Sequence, residues 1–496
     1  MLNELDLTVD RTSTNRIGES NSYSIYGPRN FMTETAVYGL TKLILEGRTD
    51  VTDLFLQSLS ETCKTLRFLN VKGCPSFSDN GIAHMIRESP HLHSILACDT
   101  SFGMNSVIAL MFYDNYHSVA SELKALHIGG CQGIEEHTLK NLLSSAPKLE
   151  SLCLRDTKLS DDVLNSFSGS NLLFFDLSQT MVSRAAITCI VSRNLGLKSL
   201  NLRDCRNICS LQSKPNKGGT CGLNEIIIGW GFSFDSLSDL TSSIKPLTHL
   251  SVCLGASIDE KSLKNLPECC PLLQSLSFNF QAIPNTFMIN TVTSFRHLQS
   301  LSLCYCLDEV SISGLQTPMP CLKKLRLERA TPSMTNQDLI ALTQYCYNII
   351  QLSLLGCKLF DPESLNIIAH GWPGLTSISL EECGEATCNG VFSLLNCAAL
   401  EDITLRHNGC GIPKSLIIDA ASKFPMLRNI SLDCCDSIDS HFVLPHYTTR
   451  CAFSSVKVAR CEIQKVLMMT LPLHKDTTLL TWSNPTQFRT VVSQRL

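Results

Sequence analysis

The chain has 496 residues, 44% of them hydrophobic and 17% charged, with a formal net charge of −4. That composition supports a large buried core, and the near-even charge balance offers no basic field for nucleic acid. The longest apolar runs, at 225–230 and 465–473, fall short of the ~20 residues a membrane-crossing helix needs, and the opening MLNELDLTVDRTSTNR shows no basic region followed by an apolar run and small-residue cleavage site, so it does not read as a signal peptide. The expectation is a soluble chain of the cytoplasm or nucleus, with neither a membrane nor nucleic acid as partner.

In chain order, LNELDLTV is strand-like from Leu2, and residues 8–38, which include RTSTNRIGESNSYSIYGPRN, are polar and lack helical spacing, as an inserted loop would be. From Leu40 a nine-residue pattern takes over: apolar at places one, four and six, with Cys, Thr, Asn or a small residue at place nine. LESLCLRDT from Leu149 and LKSLNLRDC from Leu197 are two copies. Counting the one at Leu2, the pattern occurs eighteen times, and from Leu40 onward its spacing is 23 to 31 residues, the signature of a repeat architecture. The second half of each unit has helical spacing, as where Ile82, Met85 and Ile86 share one face. Each unit is therefore a short strand followed by a helix. Ser78, Ser160, Thr335, Asp259 and Asp439 stand where a short polar side chain caps a helix. Pro90, Pro147, Pro271, Pro320, Pro373 and Pro425 each lie two residues before the next strand's first apolar residue, where they stop a helix.

Two later segments break the repeat. LQSKPNKGGTCG from Leu211 fills a helix slot with Lys, Pro and Gly, which predicts a loop. After Cys461, the alternation in TTLLTW and FRTVVSQRL predicts a closing strand pair over the last repeat. The division expected is 1–39 for a first repeat strand plus polar loop, 40–461 for the repeat array, and 462–496 for a C-terminal cap.

LRFLNVKGCPSFSDNGIAHMI and LTSISLEECGEATCNGVFSLL resemble the cysteine-containing leucine-rich repeat, LxxLxLxxCxxI(T/S)Dxx(L/V)xxLxxxCxxL, of F-box/LRR proteins. The repeat subtype and the terminal TTLLTWSNPTQFRTVVSQRL also resemble the plant BTB/POZ and F-box-like LRR group. The resemblance implies an α/β fold, a right-handed horseshoe solenoid with a parallel inner sheet and outer helices. It further implies substrate recognition for a cullin-type ubiquitin ligase, with an adaptor and cullin as partners beside the protein target. No F-box-like or BTB segment is visible before the repeats, so a stand-alone interaction scaffold or inhibitor is the alternative.

Of the 25 cysteines, eight occupy place nine: Cys74, Cys131, Cys205, Cys306, Cys357, Cys383, Cys435 and Cys461. A residue fixed once per repeat is structural, so these are read as reduced, buried thiols rather than disulfides. The pairs Cys269/Cys270, Cys304/Cys306, Cys434/Cys435 and Cys205/Cys209 lack CxxC spacing, so no metal is expected. No HExxH, GxSxG or GxxxxGK(S/T) is present, and GGTCGLNE near Gly218 lacks a phosphate-binding lysine. Neither catalysis nor a cofactor is expected.

Binding then falls to the concave sheet face, where places three, five, seven and eight point outward because the side-chain period is two. Ser275, Ser277, Ser300, Ser302, Ser377, Ser379 and Ser431 make a neutral floor there. Around it stand Arg155, Asp156, Arg203, Asp204, Trp230, Phe280, Tyr305, Lys324, Arg326, Glu328, Arg329, Glu381, Glu382, Arg406 and His407. Aromatic and Arg side chains dominate interface energies. The competing reading makes the charged ones ion pairs between neighbouring repeats, worth ~0.2–1 kcal/mol each. Only Lys324, Arg326 and Arg329 cluster as cations, which is too few for a polyphosphate.

Overall fold

The computed structural model describes residues 39–112, 118–209, 222–232, 245–357 and 362–443, with strand backbone also at 4–6, 455–460, 476–482 and 488–491. The expected loops at 8–38 and 211–222 lie almost wholly outside the described residues, as does Cys461. These residues form two compact units, one up to Ile258 and one from Asp259. Both are leucine-rich-repeat solenoids, and among the described residues no helix is long and apolar enough to cross a membrane.

In the first unit ten short strands pair in parallel in chain order, from Glu4–Asp6 to His249–Val252. In the second, eight strands do the same from Ser275–Asn279 to Ser455–Arg460. Two antiparallel strands, Asp476–Trp482 and Phe488–Val491, follow them. Register runs place for place, so Leu301, Leu325, Leu352, Ile378, Ile403 and Ile430 form one row. Every member of that row is buried. A repeat has one apolar edge only, and stacking makes it a continuous core.

Helices such as Asp79–Arg87, Glu136–Ser144 and Asn336–Tyr345 return the chain between strands. Ser78, Ser160, Thr335 and Asp259 cap their helices as expected, each accepting from an amide three residues on. No helix starts at Asp439 within the described residues, and its carboxylate pairs with Lys414 at 2.9 Å instead. Repeats are also tied helix to helix. Asp79 accepts from the amides of Gly103 and Asn105, each at 2.8 Å, at the start of the next repeat's helix, which has no side-chain cap of its own. Asp53 and Asp161 accept in the same way from Ser78 and Ser183.

The place-nine cysteines act through their hydrogens. Cys74, Cys131, Cys205 and Cys383 are buried and donate to the place-six carbonyl of the preceding repeat, at 3.0–3.4 Å. Burial pushes the thiols of Cys74 and Cys131 up to about 11 and that of Cys383 up to about 12, so they keep the proton they donate. Cys357 is buried in the same place. Asn408 does this job with an amide, donating to Leu380 O at 2.8 Å and accepting from Cys383 N at 2.9 Å. Cys306 and Cys435 differ from the expectation of full burial, since both are half-exposed.

Candidate protein-interaction surface

The face of each sheet turned away from the helices carries the outward places. In the second unit the strands alternate between buried and partly exposed residues. Register aligns place five into a row of Ser277, Ser302, Arg326, Ser353, Ser379, Thr404 and Ser431. Apart from Arg326 this is a floor of small hydroxyls, able to exchange hydrogen bonds without blocking approach of another chain.

Place eight was not recognised in the sequence as a special position. Its residues adopt the left-handed conformation: Asp99, Asp156, Gln179 and Asp204 in the first unit, and Phe280, Tyr305, Arg329, Glu382 and His407 in the second, with φ between 50 and 60°. The turn is kept because the place-eight amide donates to the place-seven carbonyl of the next repeat, as Tyr305 does to Glu328 at 2.7 Å. Glycine fills the place at Gly47, Gly73, Gly130 and Gly356, and the last two share a further feature. Each of those is crossed by an ion pair between its two neighbouring repeats. Arg155 reaches Asp99 at 2.6 Å over Gly130, and Arg329 reaches Glu382 over Gly356. A Cβ on Gly130 would lie 2.3 Å from the Asp99 carboxylate, and one on Gly356 would lie 3.0 Å from Arg329 Cγ. The signal in the sequence was glycine recurring beside the place-nine residue.

The remaining arginine candidates also lie beside acidic partners. Arg203 lies 3.5 Å from Asp204, Arg326 pairs with Glu328 in its own strand, and Arg406 lies 4.0 Å from Glu381 in the preceding strand. Lys324 is exposed and has no ion-pair partner among the described residues, and Asp156 is exposed as well. The arginines are therefore positioned in advance, which lowers the entropy lost when a partner docks.

Three aromatic candidates stay on the surface. Phe280 and Tyr305, 46% and 36% exposed, stack with ring centroids 5.1 Å apart and planes at 11°. Leu307 beside them is 74% exposed. Bulky side chains seldom take positive φ, which costs of order 1–3 kcal/mol where it occurs; this pair shares it with the other left-handed place-eight residues and leaves two flat faces exposed. Trp230 sits in the first unit, 38% exposed, with its ring against the Gly255 backbone and the Arg206 guanidinium 6.0 Å from its centroid. A separate open pocket of about 330 Å³ lies among Asn285, Glu309, Ser311, Thr331 and Asp338.

No protein-family model matches the chain. It is 43% identical over 521 residues to the BTB/POZ domain-containing protein FBL11 of Arabidopsis thaliana, an alignment covering 100% of this chain and 55% of that protein. It is 25% identical over 284 residues to GRR1-like protein 1 of the same plant, covering 52% of this chain and 47% of the relative. The chain thus spans about half the length of the curated relatives it matches. Among solved structures, the Rad7 and Elc1 complex of yeast matches 77% of this chain and 79% of that chain, at 17% identity and a TM-score of 0.41.

Proposed function

Because the chain is a cysteine-containing leucine-rich-repeat protein of the plant F-box/LRR group, we propose that it is a non-catalytic recognition module that holds a protein target for a cullin-type ubiquitin ligase. The observation that carries the reading is the stacked Phe280–Tyr305 pair. Two exposed aromatic rings sit on left-handed backbone, next to a hydroxyl floor and arginines fixed by their own ion pairs. Such an aromatic shelf surrounded by positioned polar groups matches the anatomy of interface hot spots. The target binds across the sheet face, with its apolar side chains on Phe280, Tyr305 and Leu307 and its polar groups on the serine row. Arg155, Asp156, Arg203, Asp204 and Trp230 form the corresponding surface of the first unit, and Lys324, Arg326, Arg329, Glu381, Glu382 and Arg406 that of the second. Adaptor and cullin are the ligase partners in this reading, and nucleic acid and membrane are not.

The test is affinity purification from plant extract with this chain as bait, quantifying adaptor and cullin subunits by mass spectrometry. Enrichment of both together with a further protein is the expected result. A further protein without any ligase subunit overturns the ligase assignment and leaves the scaffold alternative.

A further inference from the structure

Cys435 shares its repeat position with the structural thiols but not its surroundings. Where Cys74, Cys131, Cys205 and Cys383 are buried against carbonyl oxygens, Cys435 is half-exposed and its sulfur lies 3.7 Å from His407 Nδ1. The other ring nitrogen, Nε2, lies 3.6 Å from Oδ2 of Asp433, whose side chain is fully buried. The imidazole therefore stands between a thiol and a carboxylate, one at each nitrogen. All three donors fall within 4.8 Å of one another. The backbone that carries the ring is also held. His407 occupies left-handed place eight with φ 57°, and its amide donates to Asp436 Oδ2 at 2.8 Å. Asp433 in turn accepts from the Cys435 amide at 3.1 Å, which holds the thiol's own backbone to the carboxylate.

A nucleophile within reach of a base that a third group orients is the arrangement that activates thiols. We infer that Cys435 is a reactive thiol, open to stoichiometric oxidation by hydroperoxides, with His407 as its base and Asp433 as the positioning residue. His407 Nδ1 takes the thiol proton, with the Asp433 carboxylate standing at the ring's other nitrogen. The thiolate attacks the terminal peroxide oxygen: an S–O bond forms, the O–O bond breaks, and the leaving hydroxide, or alkoxide from an organic hydroperoxide, takes the proton from the imidazolium as water or alcohol. Sulfur is oxidised by two electrons to the sulfenic acid and the peroxide is reduced. A metal ion bridging the same donors is the less favoured reading. The ring nitrogen nearest Sγ is Nδ1 and the one nearest Oδ2 is Nε2, so a single imidazole nitrogen does not face both donors.

Cys410 supplies the internal control, being more exposed than Cys435 and in the same unit. The folded full chain is treated with limiting iodoacetamide, and separately with hydrogen peroxide followed by dimedone, and both cysteines are quantified by peptide mass spectrometry. Cys435 is expected to react at least ~10-fold faster than Cys410 despite its lower exposure. The variant H407N, whose asparagine tolerates left-handed backbone, is expected to bring Cys435 to the Cys410 rate or below. In wild-type protein, a Cys435 rate equal to or below that of Cys410 overturns the inference without recourse to any variant. An H407N protein that folds and keeps the fast rate overturns it as well, as does a rate that zinc chelation raises in untreated protein, which would show a resident metal.

Discussion

Asn408 allows the stabilising role of place nine to be measured at a single residue. Its side chain is fully buried, and it satisfies the Leu380 carbonyl and the Cys383 amide of the preceding repeat. Replacement by alanine leaves two buried backbone groups without partners, at ~1–3 kcal/mol each. N408A should therefore lose about 2–6 kcal/mol of folding stability. In N408C the thiol can donate to Leu380 O as Cys383 donates to Leu354 O at 3.4 Å, while the Cys383 amide stays unsatisfied. About half of the loss should return. Urea unfolding followed by circular dichroism, and by fluorescence of the buried Trp372 in the same unit, reports both. The reasoning fails if N408A unfolds within about 1 kcal/mol of wild type, or if N408C is no more stable than N408A.

Two further outcomes follow from the same geometry. Asp79 caps the helix of the next repeat, so D79A should cost ~1–2 kcal/mol; hydrogen exchange should show faster exchange first at the amides of Gly103, Asn105 and Ser106. The carboxyl of Asp436 is pushed up to about 7, chiefly by burial, with Asp433 adding to the rise and the amides of Asn408 and His407 opposing it. The folded state thus holds this proton more tightly than the unfolded chain, whose carboxyl titrates near ~4. The stability it contributes is complete below that value and is lost as pH rises through about 7. Unfolding free energy should fall between pH 4 and 8, by at most about 4 kcal/mol from this group, and the fall should flatten in D436N. A pH profile identical in the variant would count against it.

The repeat was legible because its cause is periodic. Apolar residues at places one, four and six have to meet the same residues in the next unit, so the spacing in sequence is the spacing in the core, and Leu301 does pair with Leu325. The caps at Ser78, Ser160, Thr335 and Asp259 were legible for a local reason: side chain and amide lie three residues apart. The role of Asp79 was not, since its partners stand 24–27 residues on and depend on how the helices stack. Place eight was visible only as scattered glycines, because Asp, Phe, Tyr, Arg, Glu and His adopt the same positive φ elsewhere. The sequence suggests ion pairs between neighbouring repeats, whereas Arg155 and Arg329 each pair two repeats away across a glycine. The meeting of His407 with Asp433 and Cys435 was likewise hidden, since it joins two strands and no motif spacing marks it.

The proposed function requires a protein partner to bind on the sheet face, and one comparison tests that directly. Wild type, the double variant F280N/Y305N and the control L54E, an exposed position on the helix Asp53–Thr62, are used as parallel baits in plant extract, with each co-purifying protein quantified by isotope-labelled mass spectrometry. Asparagine accepts the left-handed turn, so the double variant keeps the fold and loses only the aromatic shelf. The account predicts that at least one specific partner falls ~10-fold or more with F280N/Y305N and is unchanged with L54E. A partner set that survives loss of the shelf but is lost with L54E would place binding on the helical side and contradict the account.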